Sequence, residues 1–468
     1  MNSTKSNYNN HKNLTPYPSG SLRELWMISF PLMLSLMSGS LMLFWDRILL
    51  AQFSIEAHNA ATSSGTIVTF LQFAFICTTC IAEVFVGRYY GANQPEKIGI
   101  PIWQMIWLSV FSIFIFTPLG FFAGDYIFAS SPYFTMENDY FFYMMCFGPI
   151  FCVNCALSSF YIGRGRVKFI TAIMIGANLL NIPLAYALIF GFEPYLPPLG
   201  ISGAAIAAGM AQLIQALILF LDFVKTKNRK LYGTGCFHFN RNEFFECIRL
   251  GLPSSLAHTL EILAWALFFR MLMSAGEEHL TVVSIAQSIF FLFTFLTEGV
   301  SKGAQAIAAN MIGARKWDDL WKLLHSGIKF YLFLFCLFGT FLMIDSGPLV
   351  KLFISEDSVS SEKIHELVAS SCLWVWIFFL FDGIHWLVVG LLTAAGDTKF
   401  ILKLGGSSIW IFALLPTYFF IVLQGNGPDV AWAITAFYGL VTCSLYLARF
   451  YSTRWKKNLV LEQQLVQS

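Results

Sequence analysis

An all-α integral membrane protein, with twelve transmembrane helices in two pseudo-repeated six-helix lobes, is predicted by three observations. The chain of 468 residues is 57% hydrophobic and only 12% charged, against about 25% charged in an average soluble domain. Its apolar residues gather into runs of about twenty, the length that crosses a bilayer as a helix. Three anchors of the first half recur in the same order in the second.

The runs fall at 24–47, 60–86, 101–123, 141–163, 169–190 and 201–224, then at 250–274, 281–308, 328–350, 368–394, 401–424 and 431–450. The first holds Pro31 and ends near Asp46, and the second leaves through Arg88-Tyr-Tyr-Gly91-Ala92. The third and fourth are short-looped neighbours, and the fourth leads into Gly165-Arg-Val-Lys168-Phe169. Asn178, Asn181 and Pro183 lie in the fifth, and Gly200-Ile-Ser-Gly203-Ala204-Ala205 opens the sixth. Pro253, His258 and Glu261 belong to the seventh, and the eighth closes on Asn310-Met-Ile-Gly313-Ala314. After the ninth, the tenth carries Phe378, Asp382 and His385 and leads into Gly396-Asp-Thr-Lys399-Phe400; the eleventh and twelfth complete the set.

The one longer polar insert lies between the sixth and seventh runs. The expected layout is therefore an N-terminal tail over 1–22, a first lobe over 23–224, a linker over 225–249, a second lobe over 250–452 and a C-terminal tail over 453–468. The Gly-Ala closures and the entering prolines recur at an offset of 222, and the Gly-x-x-Lys-Phe turns at 231. Two six-helix repeats of one orientation are a recurrent transporter plan.

Short cytoplasmic loops carry the excess of Lys and Arg. With both termini inside, only Arg47, Arg270, Lys351 and Lys363 of the 29 basic residues fall outside, where the loops carry acids such as Asp125, Glu137, Glu193, Glu356 and Asp357. The first twenty residues are polar and hold no cleavable signal pattern, so the first span is expected to direct its own insertion. The ten cysteines sit almost wholly in spans or inner loops, which argues against a disulfide framework.

Asp46, Glu261 and Asp382 interrupt apolar runs. A charged side chain at the bilayer centre costs about 2.5 to 3.5 kcal/mol on insertion scales, so such groups face a cavity and mark an ion or substrate path. For Asp46, beside Arg47, two readings stay open: a coupling group, or an ion pair near the interface. His258 precedes Glu261 by three and His385 follows Asp382 by three, which puts each pair on one helical face, as proton relay or as packing. The chain has no Gly-rich phosphate loop and no magnesium-diphosphate motif, so ATP hydrolysis and enzyme chemistry are not expected, nor is nucleic acid binding.

With these residues on the page, the chain resembles the multidrug and toxic compound extrusion (MATE) family, and most the NorM-like branch. The marks are Pro31 with Asp46, Gly91-Ala92 and Gly313-Ala314, Asn178 to Pro183, Gly200 to Ala205, Pro253 with Glu261, and Asp382 with Gly396-Asp397. The resemblance implies a V-shaped pair of lobes in the cytoplasmic (inner) membrane. It implies a monomeric antiporter that exports amphiphilic, cationic organic compounds while sodium ions or protons move inward, with no other cofactor and with membrane lipid around it. It places the coupling cation, Na+ or H+, at Glu261 and Asp382, with Asp46 in the other lobe. Asn178, Asn181, Phe378, His258 and His385 are candidate cavity residues, and Pro31, Pro183 and Pro253 candidate hinges. A carboxylate can hold sodium, hold a proton or neutralise a cationic drug, and these occupancies exclude one another, as exchange requires. A flippase for lipid-linked intermediates shares this plan, but its cavity needs basic residues for diphosphate. The sequence departs from the pattern at Ala185, at Phe378, where relatives can place a tyrosine, and at Arg88 and Asn310, where a glutamine is usual.

Overall fold

The structure is a computed structural model and describes residues 14–192, 194–195, 197–291, 293–344, 359–456 and 459. Lys5, Lys12, Lys351, Lys457, Glu193, Glu356 and Asp357, the last residues of the ninth run (345–350) and most of both tails lie outside the described residues.

The chain is helical nearly throughout, because in lipid an α-helix satisfies its own backbone donors and acceptors. In the first half, α1 is Leu22–Phe53, α2 Ile55–Cys80, α3 Ala82–Gly91, α4 Gly99–Ile127, α5 Phe134–Ile162, α6 Val167–Phe190 and α7 Gly200–Phe223. A short α8, Thr226–Tyr232, follows. The second half comprises α9 Arg241–Ala275, α10 Glu277–Phe291, α11 Thr294–Gly313, α12 Asp319–Ile344, α13 Val359–Ala394, α14 Thr398–Ile409 and α15 Pro428–Tyr451. Among the described residues eleven helices are long and apolar enough to cross a membrane, and twelve if α10 and α11, bent by 44° at their junction, form one span.

Two departures from the sequence reading have local causes. The helix bearing Pro253 starts at Arg241, nine residues before the apolar run, because the Asn240 side chain accepts from the backbone N–H groups of Asn242 and Glu243 and caps it. The eleventh run is not regular: α14 continues as π-helical turns over Trp410–Leu414 and Tyr418–Leu423 on either side of Pro416. A proline cannot donate to the helical ladder and crowds the preceding turn, and a widened turn accommodates it.

The chain divides into two compact units. One comprises the described residues before Pro16, together with Pro31–Ser255 and Ala309–Arg315; the other comprises Pro16–Phe30, Leu256–Ala308 and the chain from Lys316 on. In the first unit α5 is central and packs against α2, α4 and α7. In the second α13, the repeat equivalent of α5, packs against α10, α12 and α15. The repeat is thus one of packing as well as of sequence. Two of the borders between units fall at or beside Pro31 and Pro253.

The two Gly-Ala closures meet inside the first unit. A Cβ on Gly91 would strike the carbonyl oxygen of Asn310, and a Cβ on Gly313 would strike that of Arg88. Position 88 answers to position 310 in the repeat, so the crossing is reciprocal: each helix end presents a glycine to its counterpart's carbonyl. Small residues let backbones approach this closely.

The linker is fastened to α4. Trp103 donates to the carbonyl of Thr234 at 2.9 Å and Trp107 to that of Phe237 at 3.0 Å. Gln104 accepts from the backbone N–H of Asn240 at 3.0 Å and donates to the carbonyl of His238 at 3.3 Å.

Candidate functional site

In the first unit, α1 and α6 are joined by three polar contacts. Asn181 donates to Asp46 Oδ1 at 2.8 Å, Asn178 donates to Ser38 Oγ at 2.8 Å, and the Thr171 hydroxyl donates to the carbonyl of Pro31 at 2.9 Å. Three residues apart, the two asparagines share a face of α6. Pro183, two residues beyond Asn181, leaves the α6 carbonyl one turn earlier without its helical donor. Asp46, Asn178 and Asn181 are all buried. Of the two readings open for Asp46, its hydrogen-bond partner is Asn181, an amide from across the unit, and not its neighbour Arg47.

In the second unit, α9 brings His258 and Glu261 and α13 brings Asp382, His385 and Trp386. Each imidazole Nδ1 lies 4.0 Å from a carboxylate oxygen of the acid on its own helix. The His258 ring stacks on Trp386, with centroids 4.8 Å apart, and His385 lies 5.4 Å from the same indole. A continuous path of side chains therefore runs Glu261, His258, Trp386, His385, Asp382. Asp382 is 8% exposed, and the two carboxylates are near enough for their charges to interact. Tyr438 is buried near enough to both acids to feel their charges. Tyr446 packs 4.7 Å from the His385 ring and donates to the carbonyl of Ile401 at 3.3 Å.

Phe378, one turn before Asp382, is 3% exposed and belongs to an apolar cluster with Trp265, Phe290, Trp432 and Tyr438. It packs that cluster beneath the acid. Tyr438, Tyr446 and Trp386 join the site only in the structure; two tyrosines eight apart on the last span, within one helical stripe, are the signal the sequence offers for the first two.

The MatE family model matches residues 31–187 and 253–419. The chain belongs to the MatE family. Each MatE stretch opens on one of the repeat prolines, the first holding Asp46, Asn178 and Asn181 and the second Glu261 and Asp382. MatE proteins are transporters and not enzymes, and this member is a multi-pass membrane protein. Among similar proteins, the uncharacterized transporter YisQ of Bacillus subtilis is 21% identical over 429 residues, covering 89% of this chain and 91% of YisQ. The probable multidrug resistance protein NorM of Photorhabdus laumondii is 23% identical over 424 residues, covering 90% and 92%. A solved MOP superfamily transporter from Pyrococcus furiosus superposes with a TM-score of 0.80 at 17% identity, over 94% of this chain and 97% of that one. A multidrug resistance MATE transporter solved in an outward-facing conformation gives 0.81 at 17%, over 94% and 97%. At these identities the solved structures show a shared fold.

Proposed function

We propose that this protein is a secondary active antiporter of the cytoplasmic membrane, with both termini inside, which exports amphiphilic organic cations in exchange for inward sodium ions or protons. The observation that carries this reading is the pair Glu261 and Asp382: two carboxylates in one apolar unit, close enough to interact, with no Lys or Arg within ion-pair distance among the described residues. Two interior acids of like charge favour a positively charged occupant. A proton needs one carboxylate; sodium takes hard oxygen ligands, which carboxylates supply. The multidrug resistance names of the NorM relatives support the substrate class.

Transport of ethidium in everted membrane vesicles tests this, with a sodium gradient and a proton gradient imposed separately. One gradient is expected to drive accumulation and its collapse to release the dye. No movement of any dye in a broad cationic panel under either gradient would overturn the reading.

A further inference from the structure

The linker of the first unit presents a surface that cation exchange does not use. Residues 223–242 hold five basic residues, Lys225, Lys227, Arg229, Lys230 and Arg241, and no acid. They are held in place. In α8, Asn228 and Tyr232, four apart, share the inner face. Asn228 donates to the carbonyl of Asp222 at 2.6 Å, and the buried Arg164 guanidinium lies 4.3 Å from the centre of the Tyr232 ring. Lys227, Arg229 and Lys230, on the rest of the helix, are exposed, as is Arg241. Lys225 pairs with Asp222 at 2.9 Å, and among the described residues no carboxylate lies within ion-pair distance of the other four.

Beyond α8 the chain follows α4. A Cβ on Gly99 would lie 2.6 Å from the Gly233 carbonyl oxygen, and the Phe239 and Phe111 ring centres are 6.0 Å apart. The segment therefore keeps to α4 over twelve residues, about 18 Å of helix. Phe111 lies inside the apolar run of that span. There a backbone needs protein partners because lipid offers none, and Trp103, Gln104 and Trp107 are those partners. What the segment turns outward is aromatic: Phe237 is 65% exposed, and Phe239 and Phe245 are exposed with it.

We infer that α8 and the 233–245 segment form a docking surface for anionic phospholipid. The phenylalanines enter the boundary between headgroups and acyl chains, and Lys227, Arg229, Lys230 and Arg241 take the phosphates of negatively charged headgroups. Aromatic and basic side chains together make an interfacial segment, and basic clusters beside a span attract anionic lipid. A soluble acidic partner would match the charges but leave the phenylalanines uncovered. With both termini inside, as proposed above, these lipids belong to the cytoplasmic leaflet.

Dioctanoyl phosphatidylglycerol and dioctanoyl phosphatidylcholine have equal chains and differ in headgroup charge. Binding of each to the purified full-length protein in nonionic detergent is measured by microscale thermophoresis. Phosphatidylglycerol is expected to bind at least about tenfold tighter in low salt, with a smaller ratio at high salt. Lys227→Gln, Arg229→Gln, Lys230→Gln and Arg241→Gln together should bring the ratio close to one. A matched variant, Lys329→Gln with Lys399→Gln, Lys403→Gln and Arg454→Gln, removes four exposed bases of the second unit and should keep it. Phe237→Ser with Phe239→Ser should weaken both lipids by similar factors. Glycerol 3-phosphate, which has the charge without the chains, should not displace phosphatidylglycerol. A ratio near one in the parent protein, a ratio that survives the linker variant or falls equally in the matched one, or displacement by equimolar glycerol 3-phosphate would overturn the proposal. Lipid binding is read without a gradient, so failure here leaves the antiport reading standing, and failed ethidium transport leaves this one.

Discussion

The two polar groups of this molecule are built on opposite principles. In the first unit one acid is tied at 2.8 Å to an amide on a neighbouring helix, with a guanidinium beside it, so the charges there are mixed. In the second, two acids stand near each other with only imidazoles 4.0 Å away and phenols around them, so the fixed charge is of one sign. Mixed charge suits recognition of a shaped ligand, and charge of one sign suits exchange of a small cation. Repetition of a fold thus does not repeat its chemistry: α1 and α9 enter their units with equivalent prolines but carry different polar residues.

The largest effect expected from this contrast is at the second group. Asp382→Asn and Glu261→Gln keep side-chain volume but remove the charge proposed to hold a coupling cation, and each should bring ethidium efflux down to the background of vesicles without the protein, at unchanged expression. Efflux at the parental rate and ion dependence in both variants would erase the distinction between the groups. Next comes Asp46→Asn, expected to slow efflux by about tenfold without abolishing it; at about 1.4 kcal/mol per factor of ten, this is in the range of one hydrogen bond to a charged group.

A stability measurement sharpens the comparison. Asn181→Ala removes a buried bond to a carboxylate, which should cost about 1.5 to 3 kcal/mol and lower the thermal midpoint in detergent. In the Asp46→Asn background the same change should cost less, and an additive double-mutant cycle would show that the 2.8 Å contact carries no coupling. The smallest effect is assigned to His258→Phe, which keeps a ring on Trp386; efflux is expected to stay within about twofold of the parent, since the aromatic contact itself is retained. A complete loss would make the imidazole itself part of the coupling path.

Much of this architecture is legible in the chain alone, for a physical reason. Bilayer thickness imposes span length, so composition marks the helices, and the prolines and Gly-Ala closures mark the repeat. Charge in an apolar run is equally visible as a cost. What meets that charge is not visible. The Asp46 to Asn181 bond depends on how α1 and α6 are rotated against each other, which no spacing within either helix reveals. Phe378 reads equally well as cavity wall or as core until its neighbours are known, and they prove to be Trp265, Phe290 and Trp432. The π-helical turns around Pro416 were hidden in a run that composition alone describes as an ordinary span.

The fastening of the 233–240 segment to α4 bears on how the protein can be handled. Long polar connections between membrane domains are the usual places to insert affinity tags, fluorescent proteins or protease sites, because exposed loop tips tolerate change. Here Trp103, Gln104 and Trp107 hold the carbonyls of Thr234, Phe237 and His238 and the amide of Asn240, so an insertion between Thr234 and Asn240 would break several of these bonds together. The stretch that looks most like a spare tether is, mechanically, an extension of a transmembrane helix.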